Sequence, residues 1–453
     1  MKLMAVPLAF LGLLAFGSQA SAEICTIDNV PAATLLVPYF EVELDNVRGI
    51  TTLISVNNAS AFAAVAHVTL WTDESIPTLS FDVYLTGYDV QTINLRNVFN
   101  GILPRTADAA ADPGDTISNQ GTLSQDLNVP GSSGPCGTAS TLYPAAPNPA
   151  LPPSLISHLR NSHTGLSSPV YGGCVGLNYG DTIARGYVTV DSVKTCNLQF
   201  PSSTGYFPSI ADNRNILWGD YFYVVLGENF AQGETMVHIE ACPRPSVGQR
   251  EDDCPFTAGD YTFYGRYVQG AATDQREPLS TNFATRFANG GMFDGGTDLI
   301  VWRDSKIPLG ATIPVHSCTV GRFPWVPLNQ ADVVAFDDAE NPQDLCFQGD
   351  NVSPPVGGSE TCFPVEAQRV NMVSTAVPFG LTPAPTAQSG WIFLNLNTTV
   401  AGQAPGLAQA VAQAWVAMTS TDEGRFAFGY DAIQLDTVCD NLEGGAILIP
   451  IPN

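Results

Sequence analysis

Between residues 51 and 95 the chain carries a series of short apolar runs that only a layered β-sheet can bury. Leu79, Phe81, Val83 and Leu85 alternate with Ser80, Asp82 and Tyr84. A period of two places the four apolar side chains on one face of a strand. The preceding run, 62–71, is apolar on both parities: Phe62, Ala64, Ala66, Val68 and Leu70 on one, Val65 and Trp71 with His67 on the other. Such a strand must be covered on both faces, and His67 among those neighbours reads as a hydrogen-bonded core residue. Asn57-Asn58-Ala59-Ser60 and Thr72-Asp73-Glu74-Ser75 with Pro77 supply turn chemistry between the runs. The pattern predicts three consecutive hairpin-linked strands.

The same signals recur at 183–193, 221–226, 236–241, 261–268, 298–302, 333–336, 391–396, 414–419 and 425–430. Residues 34–42 are interrupted by Pro38, which suits an edge strand, and the shift of parity between Val90 and Leu95 predicts a bulge or the end of a sheet. Residues 406–418 also carry apolar positions at helical spacing. The expected fold class is all-β: disulfide-stapled antiparallel β-sandwiches, with the N- and C-terminal strand groups completing one sandwich around a middle β section. The expected organisation is 23–100 for the first strands, 101–168 for a Pro-, Gly- and Ser-rich loop or linker, and 169–305 for the middle section. A loop-rich, cysteine-bearing stretch at 306–374 and C-terminal strands at 375–453 complete it.

Lys2, the apolar run 5–16 and Ala20-Ser21-Ala22 form the three regions of a secretory signal peptide, 1–22, cleaved before Glu23. No later stretch reaches the length of a transmembrane span. All ten cysteines lie beyond the cleavage site, so an exported chain would oxidise them to disulfides. Ten cysteines allow about 945 pairings. Neighbourhood suggests Cys242 with Cys254, Cys346 with Cys362, Cys174 with Cys196 and Cys25 with Cys439, leaving Cys136 and Cys318. No C-x-x-C pair is present, so zinc and iron–sulfur sites lack their usual ligand spacing.

Charged residues make up 13% of the chain and its net charge is −25, with 18 Lys plus Arg in no cluster. Nucleic acid, which requires a cationic face, is excluded, and anionic membranes are disfavoured. A cation is the partner such a charge invites. Asp294 and Asp298, around Gly295-Gly296, and Asp337, Asp338 and Glu340 lie in loops of the kind calcium's oxygen ligands require; Asp252 and Asp253 form a third acidic group. The plainer reading of each is a solvated, charge-rich turn.

Enzymatic machinery is sparse. There is no G-x-S-x-G elbow, H-E-x-x-H helix, P-loop, G-x-G-x-x-G turn or EF-hand loop, and there are five histidines in all. His238 and Glu240 share one strand parity, and Asp220 opens the strand before. A histidine beside a carboxylate could hold a metal or act as a general base, although such pairs are more often solvated surface. Tyr261, Phe263 and Tyr267 share another parity, which reads as core packing or, more sharply, as an aromatic platform for sugars. Leu36-Val37-Pro38-Tyr39 and Thr51-Thr52-Leu53-Ile54-Ser55-Val56-Asn57-Asn58, followed by hairpin-spaced strands, resemble in style exported bacterial β-sandwich proteins; that resemblance implies no particular activity.

The function that follows is a secreted or cell-surface structural, adhesive or ligand-binding β protein, more a binder than an enzyme. Its partner would be an extracellular ligand or its own copies. A secreted carbohydrate-active enzyme using loop carboxylates is the rival, and a filament or shell subunit joined through strand edges the third alternative.

Overall fold

The computed structural model describes residues 30–85, 87–104, 151–228, 230–241, 262–265, 274–291, 293–304, 315–321, 328, 330, 332–345, 362–374, 380–381, 383–396, 413–422 and 426–435. The expected signal segment, Asp252, Asp253 and Cys25, Cys136, Cys242, Cys254, Cys346 and Cys439 lie outside the described residues. So does most of the 101–168 stretch.

Nine strands occupy the first half: β1 (Thr34–Glu43), β2 (Ile50–Asn58), β3 (Ala64–Trp71), β4 (Pro77–Leu85), β5 (Val90–Asn94), β6 (Ile183–Val193), β7 (Leu217–Val225), β8 (Phe230–Thr235) and β9 (Val237–Ile239). They form two antiparallel sheets, ordered β4-β3-β6-β1-β9 and β5-β2-β7-β8. β3 and β4 make the expected hairpin, with Phe81 opposite Val68 and Leu79 opposite Leu70. β2 corrects the three-strand expectation, because it lies between β5 and β7 in the other sheet. The turn after it is therefore an arch between sheets, held where Asn58 Nδ2 donates to the Phe62 carbonyl at 2.7 Å and the Ser60 N–H donates to Asn58 Oδ1 at 2.9 Å.

β1 is a second correction, being internal rather than at an edge. β9 reaches only Thr34 to Leu36, and the register with β6 shifts between Val37 and Phe40. Pro38 falls in that irregularity, where its missing N–H costs no ladder bond. The parity shift after Val90 does mark the end of a sheet: Asn94 caps a short helix α1 (Leu95–Phe99) by accepting the Arg96 N–H at 3.0 Å.

Nine more strands follow: β10 (Asn282–Ala288), β11 (Gly296–Arg303), β12 (Asp332–Asp337), β13 (Pro342–Asp344), β14 (Ala367–Asn371), β15 (Ser389–Asn395), β16 (Ala414–Asp422), β17 (Phe426–Asp431) and β18 (Ile433–Gln434). Their sheets are ordered β13-β12-β15-β10-β18 and β14-β11-β16-β17. The described strands of 23–100 thus ladder with strands of the middle section, and the C-terminal strands ladder with β10, β11 and β12. The two ends of the chain share no ladder among the described strands.

Alternation along β11 and β16 shows how the halves join. Leu299, Val301, Val416 and Met418 point into the C-terminal core, while Ile300, Trp302, Trp415 and Ala417 join the N-terminal one. Both faces of the sheet are buried at β11 and at 414–418 of β16, which explains why residues 414–418 are apolar without a period of two. Each such aliphatic side chain stabilises by roughly 1.5–3 kcal/mol.

The loop expected at 101–168 contains a helix, α2 (Pro153–His163). Pro153 sits at its first turn, where a proline loses no hydrogen bond, and His158, Leu159, Ser162 and His163 form its buried stripe. No described helix is long and apolar enough to cross a membrane. The strand expected at 261–268 is a turn over its described residues, 262–265. Phe263 there is buried 5.4 Å from Trp302, as core packing, while Tyr261 and Tyr267 lie outside the described residues.

Cys174 is bonded to Cys318, with Cα atoms 5.3 Å apart. This corrects both the Cys174–Cys196 pairing and the exclusion of Cys318. The two predicted partners flank β6, and an 11-residue strand rises ~36 Å, far more than a disulfide can bridge. Cys196 and Cys362 are also disulfide-bonded.

Candidate functional site

Four of the five histidines are buried, and His316 is partly so. His67 lies 2.6 Å from Asp82, Nδ1 to Oδ1, with both side chains fully buried. His163 contacts the Thr78 hydroxyl and the Arg185 carbonyl, each at 2.8 Å, and burial pushes it down to about 3. His158 lies 2.8 Å from Ser168 Oγ and is likewise lowered by burial. His316 contacts Glu74 at 2.9 Å; burial opposes its charge, but the Glu74 hydrogen bond and charge, with smaller help from Ser317 and Asp73, together raise it. His238 is 3% exposed, accepts the Gly219 N–H through Nε2 at 3.3 Å, and is held at about 4 by burial.

Of the proposed His238, Glu240 and Asp220 group, the structure therefore sets His238 in the interior. Asp220 shares the open face of β7 with Trp218 and Phe222. Glu240 is tied to Glu277, whose Oε1 accepts the Glu240 N–H at 3.3 Å, while the Glu277 N–H donates to the Glu240 carbonyl at 3.0 Å. Asn215 Nδ2 reaches Glu240 Oε1 at 3.4 Å.

The calcium candidates are dispersed. Asp294 is exposed. In the β12–β13 turn, Asp337 Oδ1 accepts the backbone N–H groups of Ala339 and Asn341 at 2.9 and 2.8 Å, and Asp338 accepts the Ser389 hydroxyl at 2.6 Å. Glu340 supplies the left-handed residue of that turn, with φ +64°. Asp298 bonds Arg369 and Asn371 instead of facing solvent. Among the described residues no group of three or more His, Cys, Asp or Glu side chains could hold a metal ion.

Asp298 belongs to a feature the sequence left unmarked, a polar cleft of about 130 Å³ where the two halves meet. β1 contributes Tyr39 and Glu41, β6 contributes Arg185, β11 contributes Asp298, β14 contributes Arg369 and Asn371, and Tyr179 completes the lining. Glu41 stands opposite Arg185 in the β1–β6 ladder, and Asp298 opposite Asn371 in the β11–β14 ladder. Arg369 spans the seam, with Nε 2.9 Å and Nη2 2.5 Å from Asp298 Oδ2 and Nη1 3.3 Å from Glu41 Oε2.

Arg185 forks onto Asp181 with two bonds of 2.8 Å and lies 4.2 Å over the Tyr179 ring. Tyr39 donates to Glu41 Oε1 at 3.0 Å. Burial opposes the Arg369 charge, yet Asp298 and Glu41 together hold it firmly protonated. Burial and then Glu41 raise the Tyr39 phenol well above its ordinary value. Chemically the cleft is a rigid set of donors and acceptors whose charges are already matched. The signal that could have found it is cross-strand: oppositely charged residues at paired positions of buried strands, visible only once the register is known.

The chain matches no family model and no curated protein. Among solved structures it is similar to an alpha-L-rhamnosidase of Streptomyces avermitilis complexed with L-rhamnose, at 8% identity and a TM-score of 0.16. The similarity covers 89% of this chain and 26% of that one, so the chain spans about a quarter of that enzyme. A likeness at that level carries no argument about fold or activity.

Proposed function

We propose that this is an exported β protein of the cell exterior that holds a small polar ligand without transforming it. The observation that carries this reading is the seam cleft, where Arg185, Arg369, Glu41 and Asp298 each face an opposite charge. A general acid or base must be able to exchange its proton near the working pH, and charges locked in mutual pairs are poor at that. They are well suited to presenting fixed hydrogen bonds to a polar guest. The signal-like N-terminus, the disulfide cross-links and the burial of four of the five histidines support the same reading.

The test uses the mature protein purified from culture fluid, with thermal unfolding followed against a panel of small polyols, amino acids and dicarboxylates. A ligand at 100-fold its dissociation constant should stabilise by about 2.7 kcal/mol. The same compound should leave an Arg369→Met variant unshifted and should be recovered chemically unchanged. Turnover of the compound, or retention of the mature chain in the cytosol, would end the proposal.

A further inference from the structure

The outer face of the β5-β2-β7-β8 sheet has its own pattern. Trp218 and Phe222 are 40% and 41% exposed, and Asp220 lies between them on the same face of β7. At ~3.3 Å per residue the two rings are spaced ~13 Å apart along the strand. The ladders run a polar row across the sheet between them: Thr92 opposite Ser55, Ser55 opposite Asp220, and Asp220 opposite Thr235. Leu53 pairs with Phe222 in the next row.

Gly233 is the cross-strand partner of Phe222. A Cβ on it would lie 2.2 Å from Phe222 Cδ1 and 2.3 Å from Cε1. The ring therefore rests on the glycine backbone, and its other face is left to the solvent. Only glycine permits this.

The chemistry of this face selects its occupant. β2, β5, β7 and β8 contain no lysine or arginine, and the chain as a whole carries −25, so polyanions are repelled. Sugar rings present a C–H face to an aromatic ring and hydroxyls at their rims, which match a carboxylate and a row of Ser and Thr hydroxyls. We propose that the Trp218–Asp220–Phe222 strip docks a neutral, extended polysaccharide. Sugar units stack on Trp218 and Phe222, and hydroxyls between them bond Asp220, Ser55 and Thr235. This site is independent of the seam cleft.

The experiment is affinity electrophoresis of the full mature chain in gels containing glucomannan, hydroxyethylcellulose, dextran or soluble starch, with alginate as the anionic control. At least one neutral polymer should retard the protein and alginate should not. Trp218→Ala and Phe222→Ala should each weaken retention on the order of tenfold, one aromatic contact's worth. Trp218→Tyr, which keeps a ring, should restore most of it and guards against a variant that merely misfolds. Gly233→Val, which lifts the Phe222 ring, should behave like Phe222→Ala, whereas Arg369→Met in the cleft should retain binding. Indifference of every neutral polymer to the parent protein, or unchanged retention of both alanine variants, overturns the proposal. A concentration-dependent dimer in sedimentation that Trp218→Ala abolishes also overturns it, because a second copy would then be the occupant.

Discussion

Replacing Glu277 with glutamine should stabilise the protein, and increasingly so as the pH rises. Glu277 is 4% exposed. Burial is the main influence on its carboxyl, partly offset by the Glu240 N–H and reinforced by the Glu240 charge, and carries it from 4.5 to about 9. A carboxyl whose folded value lies above its unfolded value favours the folded state fully below the unfolded value, and that advantage is lost as the pH climbs through the folded one. At pH 7.5 the folded chain stands three pH units above 4.5, and at about 1.4 kcal/mol per unit this costs ~4 kcal/mol. Glutamine keeps an oxygen for the Glu240 N–H and carries no charge. Denaturant unfolding of the disulfide-intact Glu277→Gln variant should therefore show a gain of ~4 kcal/mol at pH 7.5 and under about 1 kcal/mol at pH 5. Equal gains at the two pH values, or a loss at pH 7.5, would show that Glu277 is not a buried neutral acid.

Further perturbations probe other parts of the fold. Removing the Cys174–Cys318 bridge by a double alanine replacement should lower stability by roughly 2–4 kcal/mol in non-reducing calorimetry, since it closes a loop of 144 residues. Asp191 is fully buried and accepts the hydroxyls of Thr34 at 2.5 Å and Tyr206 at 2.7 Å beside Arg276, which Asp274 also faces at 3.4 Å; Asp191→Asn should cost about 1–3 kcal/mol by removing one of the guanidinium's two buried carboxylates, read as a drop in the denaturation midpoint. Thiol titration of the denatured, unreduced protein should find two free cysteines or fewer, because all four described cysteines are bonded.

Strand identity was legible from the apolar runs: β4 begins two residues before its predicted start, and β7, with one open face, begins four residues before its own. β6 has the predicted limits, 183–193. Pairing was not legible. Nothing in the residues of β2 distinguishes a hairpin with β3 from an arch to the other sheet, because both satisfy the same turn chemistry at Asn57 to Ser60. β1 hid its internal place behind Pro38, whose cost is absorbed by a bulge. α2 was hidden by Pro152 and Pro153, residues that punctuate a loop and also open a helix. The site suffered most. Charged residues such as Asp298 read as solvated turns until the fold brought Arg369 within 2.5 Å, a contact spanning 71 residues of sequence.

Which face can recognise a partner follows from where the alternation survives. β1, β3, β4, β6 and β11 are buried along nearly their whole length, so both their faces are spent on cores. Open faces remain on the β5-β2-β7-β8 sheet and on the β13-β12-β15-β10-β18 sheet, whose β10, β12 and β15 alternate. The second of these also bears an exposed tryptophan, Trp391, but Arg286 stands opposite it in the ladder with its guanidinium 4.6 Å from the ring centroid. That cation already occupies the ring's face. Among the described residues no cation caps Trp218 or Phe222, and Gly233 holds the latter flat. Of two sheets built on one pattern, only the first therefore leaves stacked aromatic surface for a ligand to compete for.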